Sequence, residues 1–174
     1  LPEGVGLADV RERVDPWKDV DCLHPANLGG LVIDDPRFVP ATTAAVVRLL
    51  DAYDVTVEGR DVVVVGRSAV IGRPIANRLL QDREPGNATV TVCHSRTSDL
   101  GSVIRRADVV VTAAGVPGLV DGAMLSPGAV VVDVSANRRE AGGDRGYEVV
   151  GDVDFESARE VASAITPVPG GVGP

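Results

Sequence analysis

The segment Gly66-Arg67-Ser68-Ala69-Val70-Ile71-Gly72 has the residue types of a phosphate-holding turn. Glycines let backbone approach a ligand closely, and a guanidinium and a hydroxyl stand between them. Four valines, Val62 to Val65, precede the turn and read as a strand buried on both faces. Pro74 then stands just inside a helix start, with Ile75, Ala76, Leu79 and Leu80 recurring at helical spacing. Such a helix start offers free N–H groups and the positive end of its dipole to a phosphate. The turn is not the usual G-x-G-x-x-G, so two readings stay open: a nucleotide site, or a plain turn of a flavodoxin-like or other α/β domain.

The next strand, Thr89 to Cys93, bears on which nucleotide it would be. NAD-preferring domains place an Asp or Glu about 20 residues beyond the glycines to take the ribose hydroxyls. Here the strand runs into His94, Ser95, Arg96 and Thr97, with no carboxylate. A carboxylate would repel a 2′-phosphate, whereas a hydroxyl and a guanidinium attract one. The expectation is NADP rather than NAD, with Arg67 and Arg96 as candidate partners; the alternative for Arg96 is a solvated surface arginine.

Other candidates have plainer readings beside the functional ones. Asp19 and Asp21 are ligand-anchoring carboxylates or ordinary loop acids. His24 has no second histidine near it, so a metal site is not expected. Cys22 and Cys93 are isolated, without metal spacing or a disulfide framework, which fits a reducing cytoplasm, and Cys93 reads as a small core residue. The tail Pro167-Val168-Pro169-Gly170-Gly171-Val172-Gly173-Pro174 is either a flexible terminus or a rigid loop whose backbone meets a flat ligand.

The elements that must position these residues follow from periodicity. A helix is expected around Leu7 to Val14, an irregular stretch over 16–40, and a helix capped by Thr42 or Thr43 that ends near Tyr53. After the glycine unit come a helix from Asp99 through Arg106 and strands at Asp108–Ala113 and Ala129–Val134. Pro117–Leu125 holds a short helical turn, 138–147 reads as an exposed polar loop, Asp154 caps a helix through Val161, and Ser163–Ile165 forms a fifth strand. Strands alternating with helices in this way give an α/β fold: a Rossmann-like, doubly wound parallel sheet with helices on both faces. The 174 residues are 44% hydrophobic but only 3% aromatic, so the core is aliphatic. The net charge of −8 argues against non-specific nucleic-acid binding, and no apolar run approaches the roughly 20 residues of a membrane span. Acidic, with Lys18 as the single lysine, the chain fits a salt-adapted or a GC-rich source.

Several stretches together resemble one family, the bifunctional methylenetetrahydrofolate dehydrogenase/methenyltetrahydrofolate cyclohydrolases. They are K-D-V-D at 18–21 with H-P-A-N-L-G-G-L after it, V-V-G-R-S-A-V-I-G-R-P at 64–74 and T-V-C-H-S-R-T at 91–97. A-D-V-V-V-T-A-A-G-V-P at 107–117, V-V-D-V at 131–134, V-G-D-V-D-F at 150–155 and A-S-A-I-T-P-V-P-G-G-V-G-P at 162–174 complete the set. The resemblance covers essentially the whole chain. It implies a cofactor site at Gly66, Arg67, Ser68, Ser95 and, by backbone, Ala136, beside the Arg96 argued above. It implies a folate site at Asp21, whose carboxylate accepts two hydrogen bonds from a pterin edge, and at Pro169, Gly170, Gly171, Val172 and Gly173.

The implied activity is NADP-dependent oxidation of 5,10-methylenetetrahydrofolate to the methenyl form and its hydrolysis to 10-formyltetrahydrofolate, in one-carbon metabolism and purine biosynthesis. Tetrahydrofolate derivatives are the expected partners, in a cytoplasmic homodimer. The implied organisation is a linker and loop segment over 1–40 facing the folate cleft and an NADP-binding domain over 41–174. The family's catalytic Lys and stacking Tyr belong to an N-terminal domain as Y-x-x-x-K, and neither Tyr53 nor Tyr147 has a lysine four residues on. The family's Gln would immediately precede Leu1, so both ends are expected to be cut. Ala41 replaces a common Cys, Thr43 a common Pro, and Ser135-Ala136 a Gly-Ile pair. The alternatives are a shikimate-type NADP dehydrogenase, against which the D-V-D and P-G-G-V-G-P stretches speak, and a free-standing nucleotide-binding module.

Overall fold

A computed structural model of the chain describes residue 4, residues 6–142 and residues 146–173. Five parallel strands, β1 (Asp61–Val65), β2 (Thr89–Cys93), β3 (Val109–Thr112), β4 (Val130–Asp133) and β7 (Ala164–Ile165), form one sheet in the order β2-β1-β3-β4-β7. The in-register pairs Val63↔Val110 and Val110↔Val131 run through its centre. Strand residues alternate between two cores. Val62, Val64, Val109, Val111 and Val132 pack under helices α3 (Ala41–Ala52) and α4 (Gly72–Leu80), through Val46, Leu50, Ile75 and Leu79. Val63, Val65, Val110 and Val131 pack on the other side with Ile104 of α5 (Leu100–Ile104) and Ala158 of α6 (Phe155–Ala158). The unbroken valine runs are thus what two-sided burial requires. The expected doubly wound sheet with helices on both faces is present.

Several local expectations change. Residues 16–40 are not irregular throughout: helix α2 spans Pro25–Val32. Its glycines disguised it. Gly30 lies in a helix whose exit turns back on itself, with Asp35 N–H donating to Gly30 O, and a Cβ on Gly30 would sit 2.7 Å from Asp35 O. Asp34, at φ 62, takes the left-handed position where Gly is usual. Helix α3 starts after Pro40 rather than being capped by Thr42 or Thr43; Thr43 is buried within it. The stretch 138–147 takes in most of strand β5 (Asn137–Glu140), which pairs antiparallel with β6 (Tyr147–Val150). An Arg139–Glu148 ion pair and Arg138 stacked on Tyr147 decorate this hairpin; residues 143–145 lie outside the described residues. Asp99 does cap α5, accepting from Ser102 N–H at 3.0 Å, but α5 and α6 are shorter than expected and the Asp154 side chain caps nothing. Helix α1 (Leu7–Arg13) buries no residue, a 3-10 turn occupies Gly122–Met124, and Leu80 is exposed while Cys93 is buried as expected.

Leu79 is fully buried between α4 and the sheet. Leu79→Ala should cost about 2–5 kcal/mol, because the aliphatic core around it has no slack to close the void. Urea unfolding followed by circular dichroism checks this; a loss below about 1 kcal/mol would contradict the packing described.

Candidate active site

The order in which strands are added to the sheet reverses between β1 and β3, since β2 lies on one side of β1 and all later strands on the other. In doubly wound sheets the crevice outside the strand C-termini at such a point is where ligands bind. A cleft of about 470 Å³ lies there, walled by Gly66, Arg67 and Ser68 after β1, His94, Ser95 and Thr97 after β2, and Ala113 and Ala114 after β3.

The turn after β1 is held by backbone contact. Gly66 has φ 126, and a Cβ on it would overlap the Ala113 carbonyl. A Cβ on Gly72 would likewise overlap the Gly66 carbonyl. Both positions therefore require glycine for close approach, independent of any ligand. The helix start is not the free anion site that the pattern suggested. Ser68 Oγ accepts from Ile71 N–H at 3.0 Å and Gly72 N–H at 3.3 Å. Arg73 N–H donates to Ser68 O, and Pro74 has no N–H. The first turn of α4 is thus satisfied by Ser68 itself. Among the described residues, no hydrogen bond takes up the N–H groups of Arg67, Ser68, Ala69 or Val70. The donors open to a phosphate have moved from the helix into the loop before it, with the Arg67 guanidinium exposed beside them.

The turn after β2 is stapled just as locally. His94 N–H donates to Thr97 Oγ1 at 2.9 Å, Thr97 N–H to His94 O at 2.8 Å, and Arg96 N–H to His94 Nδ1 at 3.1 Å. His94 is therefore a turn-forming residue, and Ser95 and Arg96 are left exposed on the rim. Arg96 and Ala136 do not wall the cleft itself.

The folate-side candidates sit elsewhere. Asp21 is exposed and unpartnered among the described residues. Asp19, two residues before it, is the buried one: it accepts from Leu23 N–H (2.9 Å), His24 N–H (2.7 Å) and Asn27 Nδ2 (2.9 Å). Burial alone would raise the Asp19 carboxyl, but the Leu23 and His24 donors and the Asn27 amide outweigh it and hold its pKa below the ordinary 3.8. His24 Nδ1 in turn accepts from Ala26 N–H and caps α2. The tail is laid down rather than loose. Gly171 approaches Thr166 and Pro167 too closely to admit a side chain, and Val172 packs against the α3–α4 core. Pro169, Gly170 and Gly173 are exposed on it, and Pro174 lies outside the described residues.

Two buried carboxylates that sequence reasoning passed over organise the end of the sheet. Asp133, closing β4, accepts from Thr112 Oγ1, Ser135 N–H and Val153 N–H. Burial pushes its carboxyl above the ordinary value, and these donors only partly offset that. Asp152 accepts from Ala114, Gly115 and Val116 N–H, from Ser135 Oγ and from Asn137 Nδ2. An aspartate in a strand-end run such as V-V-D-V or V-G-D-V is the available signal: nothing apolar about it would keep it inside.

The model of the tetrahydrofolate dehydrogenase/cyclohydrolase NAD(P)-binding domain family matches residues 40–174. The chain belongs to this family. It is 58% identical over 174 residues to the bifunctional protein FolD of Natronomonas pharaonis, covering all of this chain and 59% of that protein. It is 56% identical to FolD 2 of Haloarcula marismortui, with the same coverage. Among solved structures, the Trypanosoma brucei methylenetetrahydrofolate dehydrogenase-cyclohydrolase, complexed with NADP cofactor and inhibitor, superposes with a TM-score of 0.91. It is 43% identical and is covered over 59% of its length, against 99% of this chain. The Thermoplasma acidophilum enzyme gives 0.87 at 42% identity, with 100% of this chain and 59% of that one covered. The NAD-dependent yeast enzyme, 19% identical at 0.70, shares the fold. The chain thus spans about three-fifths of the length of these FolD relatives.

The Asp19 shift predicts a pH dependence for this family member. With the folded-state pKa lowered, the unfolded chain binds the proton more readily, so the Asp19 contribution is complete above about pH 4 and is lost as pH falls through the lowered value. Asp19→Asn should lower stability at pH 7 by about 1–3 kcal/mol and flatten the loss of stability as pH falls below about 4. Chemical denaturation at a series of pH values measures both; an unchanged acid slope would count against the shift.

Proposed function

We propose that this chain is the NADP-holding part of a bifunctional folate enzyme. That enzyme oxidises 5,10-methylenetetrahydrofolate to the 5,10-methenyl form and hydrolyses it to 10-formyltetrahydrofolate. The observation that carries the reading is the cleft at the β1/β3 crossing, with open N–H groups at 67–70 and the acid-free His94–Thr97 turn on its rim. The exposed Arg67 and Arg96 suit a 2′-phosphate, and the names of the relatives support the folate chemistry. When bound, NADP+ supplies the hydride acceptor.

In this reading residues 41–174 form the NADP domain and 1–40 a loop segment facing the folate. Gly66 and Ser68 take the pyrophosphate side, Arg67, Ser95 and Arg96 the adenosine 2′-phosphate, and the Ala136 backbone the far end of the cofactor. Asp21 anchors the pterin edge, and the Pro169–Gly173 backbone supports its flat face. Bringing the two reactants together and orienting them is the main contribution of these residues. We further propose a cytoplasmic homodimer, checked by light scattering on the purified protein.

NADP should bind at least tenfold more tightly than NAD. Arg96→Ala should erase most of that difference, since a charge-assisted hydrogen bond is worth about 1.5–3 kcal/mol. Isothermal titration of both nucleotides decides it; equal affinities, or an Arg96→Ala variant that still discriminates, would sink the assignment. The 174 residues should bind NADP but turn over neither folate substrate, because they contain no Y-x-x-x-K. A spectrophotometric assay that detects turnover would overturn that.

A further inference from the structure

The carboxylate of Asp152 is fully buried and collects five donors at the end of the sheet. Oδ2 accepts from Ala114 N–H (2.6 Å), Gly115 N–H (3.1 Å) and Ser135 Oγ (2.7 Å); Oδ1 accepts from Val116 N–H (2.8 Å) and Asn137 Nδ2 (2.9 Å). Three consecutive N–H groups of one loop turned onto one carboxylate fix that loop's orientation. The loop begins at Ala113 and Ala114, which wall the cleft opposite the His94–Thr97 turn. The same carboxylate holds Ser135 and Asn137, which flank Ala136, so the loops after β3 and β4 share a single anchor. Asp152 is itself locked in place: its carbonyl accepts from Val120 N–H and Val153 forms a parallel bridge with Val120. Ser135 extends the network, because its hydroxyl also accepts from Gly115 N–H at 3.3 Å.

We propose that Asp152 is a positioning residue that sets the shape of the nicotinamide end of the cleft, acting through the Ala114–Val116 loop and Ser135. This rests on the NADP reading above. If the adenosine 2′-phosphate lies at Ser95 and Arg96 beyond β2, the other half of the dinucleotide must extend over β3 and β4, where Asp152 holds both loops. An amide in place of the carboxylate can present an acceptor to only one of the two donor sets and turns its own N–H groups against the other.

The test compares NADP with 2′,5′-ADP, which lacks the nicotinamide half, on the full 174-residue chain. Asp152→Asn should weaken NADP binding about tenfold or more while leaving 2′,5′-ADP within twofold. Amide hydrogen exchange should quicken at Ala114, Gly115 and Val116 but not at Val64 or Val110. Ser135→Ala, which keeps the carboxylate and its backbone donors, should give the same pattern at about two- to fivefold and covers the case in which Asp152→Asn does not fold. A parallel loss of both ligands indicates general destabilisation and overturns the inference, as does unchanged NADP affinity with faster exchange in the loop. Failure of the wild-type chain to bind either nucleotide overturns the NADP reading and the inference together. Wild-type binding of both, with no discrimination by either variant, overturns the inference alone.

Discussion

Everything at the cleft depends on how closely the backbone after β1 approaches the backbone after β3. Gly66 lies against the Ala113 carbonyl and Gly72 against Gly66 itself, at separations where a methyl group does not fit. That contact draws the first turn of α4 onto the sheet edge, so the Gly66–Ser68 segment and Ala113 become facing walls of one crevice. Larger residues here would push α4 off the sheet and open the crevice at its floor. The glycines are therefore required by packing first, and what they leave is a surface of backbone N–H groups close enough for a ligand.

The loops around the crevice share one physical solution. Each is held by a side chain that bonds to backbone donors near it, because irregular backbone at a buried edge has no ladder to satisfy it. Ser68 does this for the start of α4, His94 and Thr97 for the turn after β2, and Asp19 and His24 for the entry to α2. Asp133 and Asp152 do it for the loops after β3 and β4. Buried carboxylates are costly unless fully bonded, so these aspartates rigidify the segments they hold. Gly151 has no side chain because the Asp133 carboxylate occupies the space one would need. By contrast the ion pairs, such as Arg60–Asp108 and Arg159–Glu156, are exposed and contribute little.

Much was legible in the residues themselves. Valine runs bounded by turn residues announced three of the parallel strands, β1, β3 and β4, because burial on both faces leaves no polar alternation to confuse them. The missing carboxylate after β2 was legible too, since it is a question of residue type at a counted position. Helix α2 was not legible: Pro25, Gly29 and Gly30 are loop residues by composition, and the helix is held by the His24 cap at its start and by Asp35 N–H closing onto Gly30 O at its end. The β5–β6 hairpin was hidden for another reason: it is a polar ribbon joined by its backbone ladder and decorated by the Arg139–Glu148 and Arg138–Tyr147 pairs, with no apolar face to mark it.

The sequence by itself determined the α/β class, the strand–glycine–helix unit and the family, because these rest on residue types at fixed spacings. The tertiary structure alone decided what the unit's donors do. Ser68 consumes the N–H groups of Ile71 and Gly72, and the open ones lie at 67–70. It also decided which aspartates matter to the frame. Asp19 and Asp21 are alike on paper, yet one is buried under three donors and the other faces solvent. Asp152 collects donors from two separate stretches of chain, and no local pattern encodes a meeting that only the closed sheet brings about.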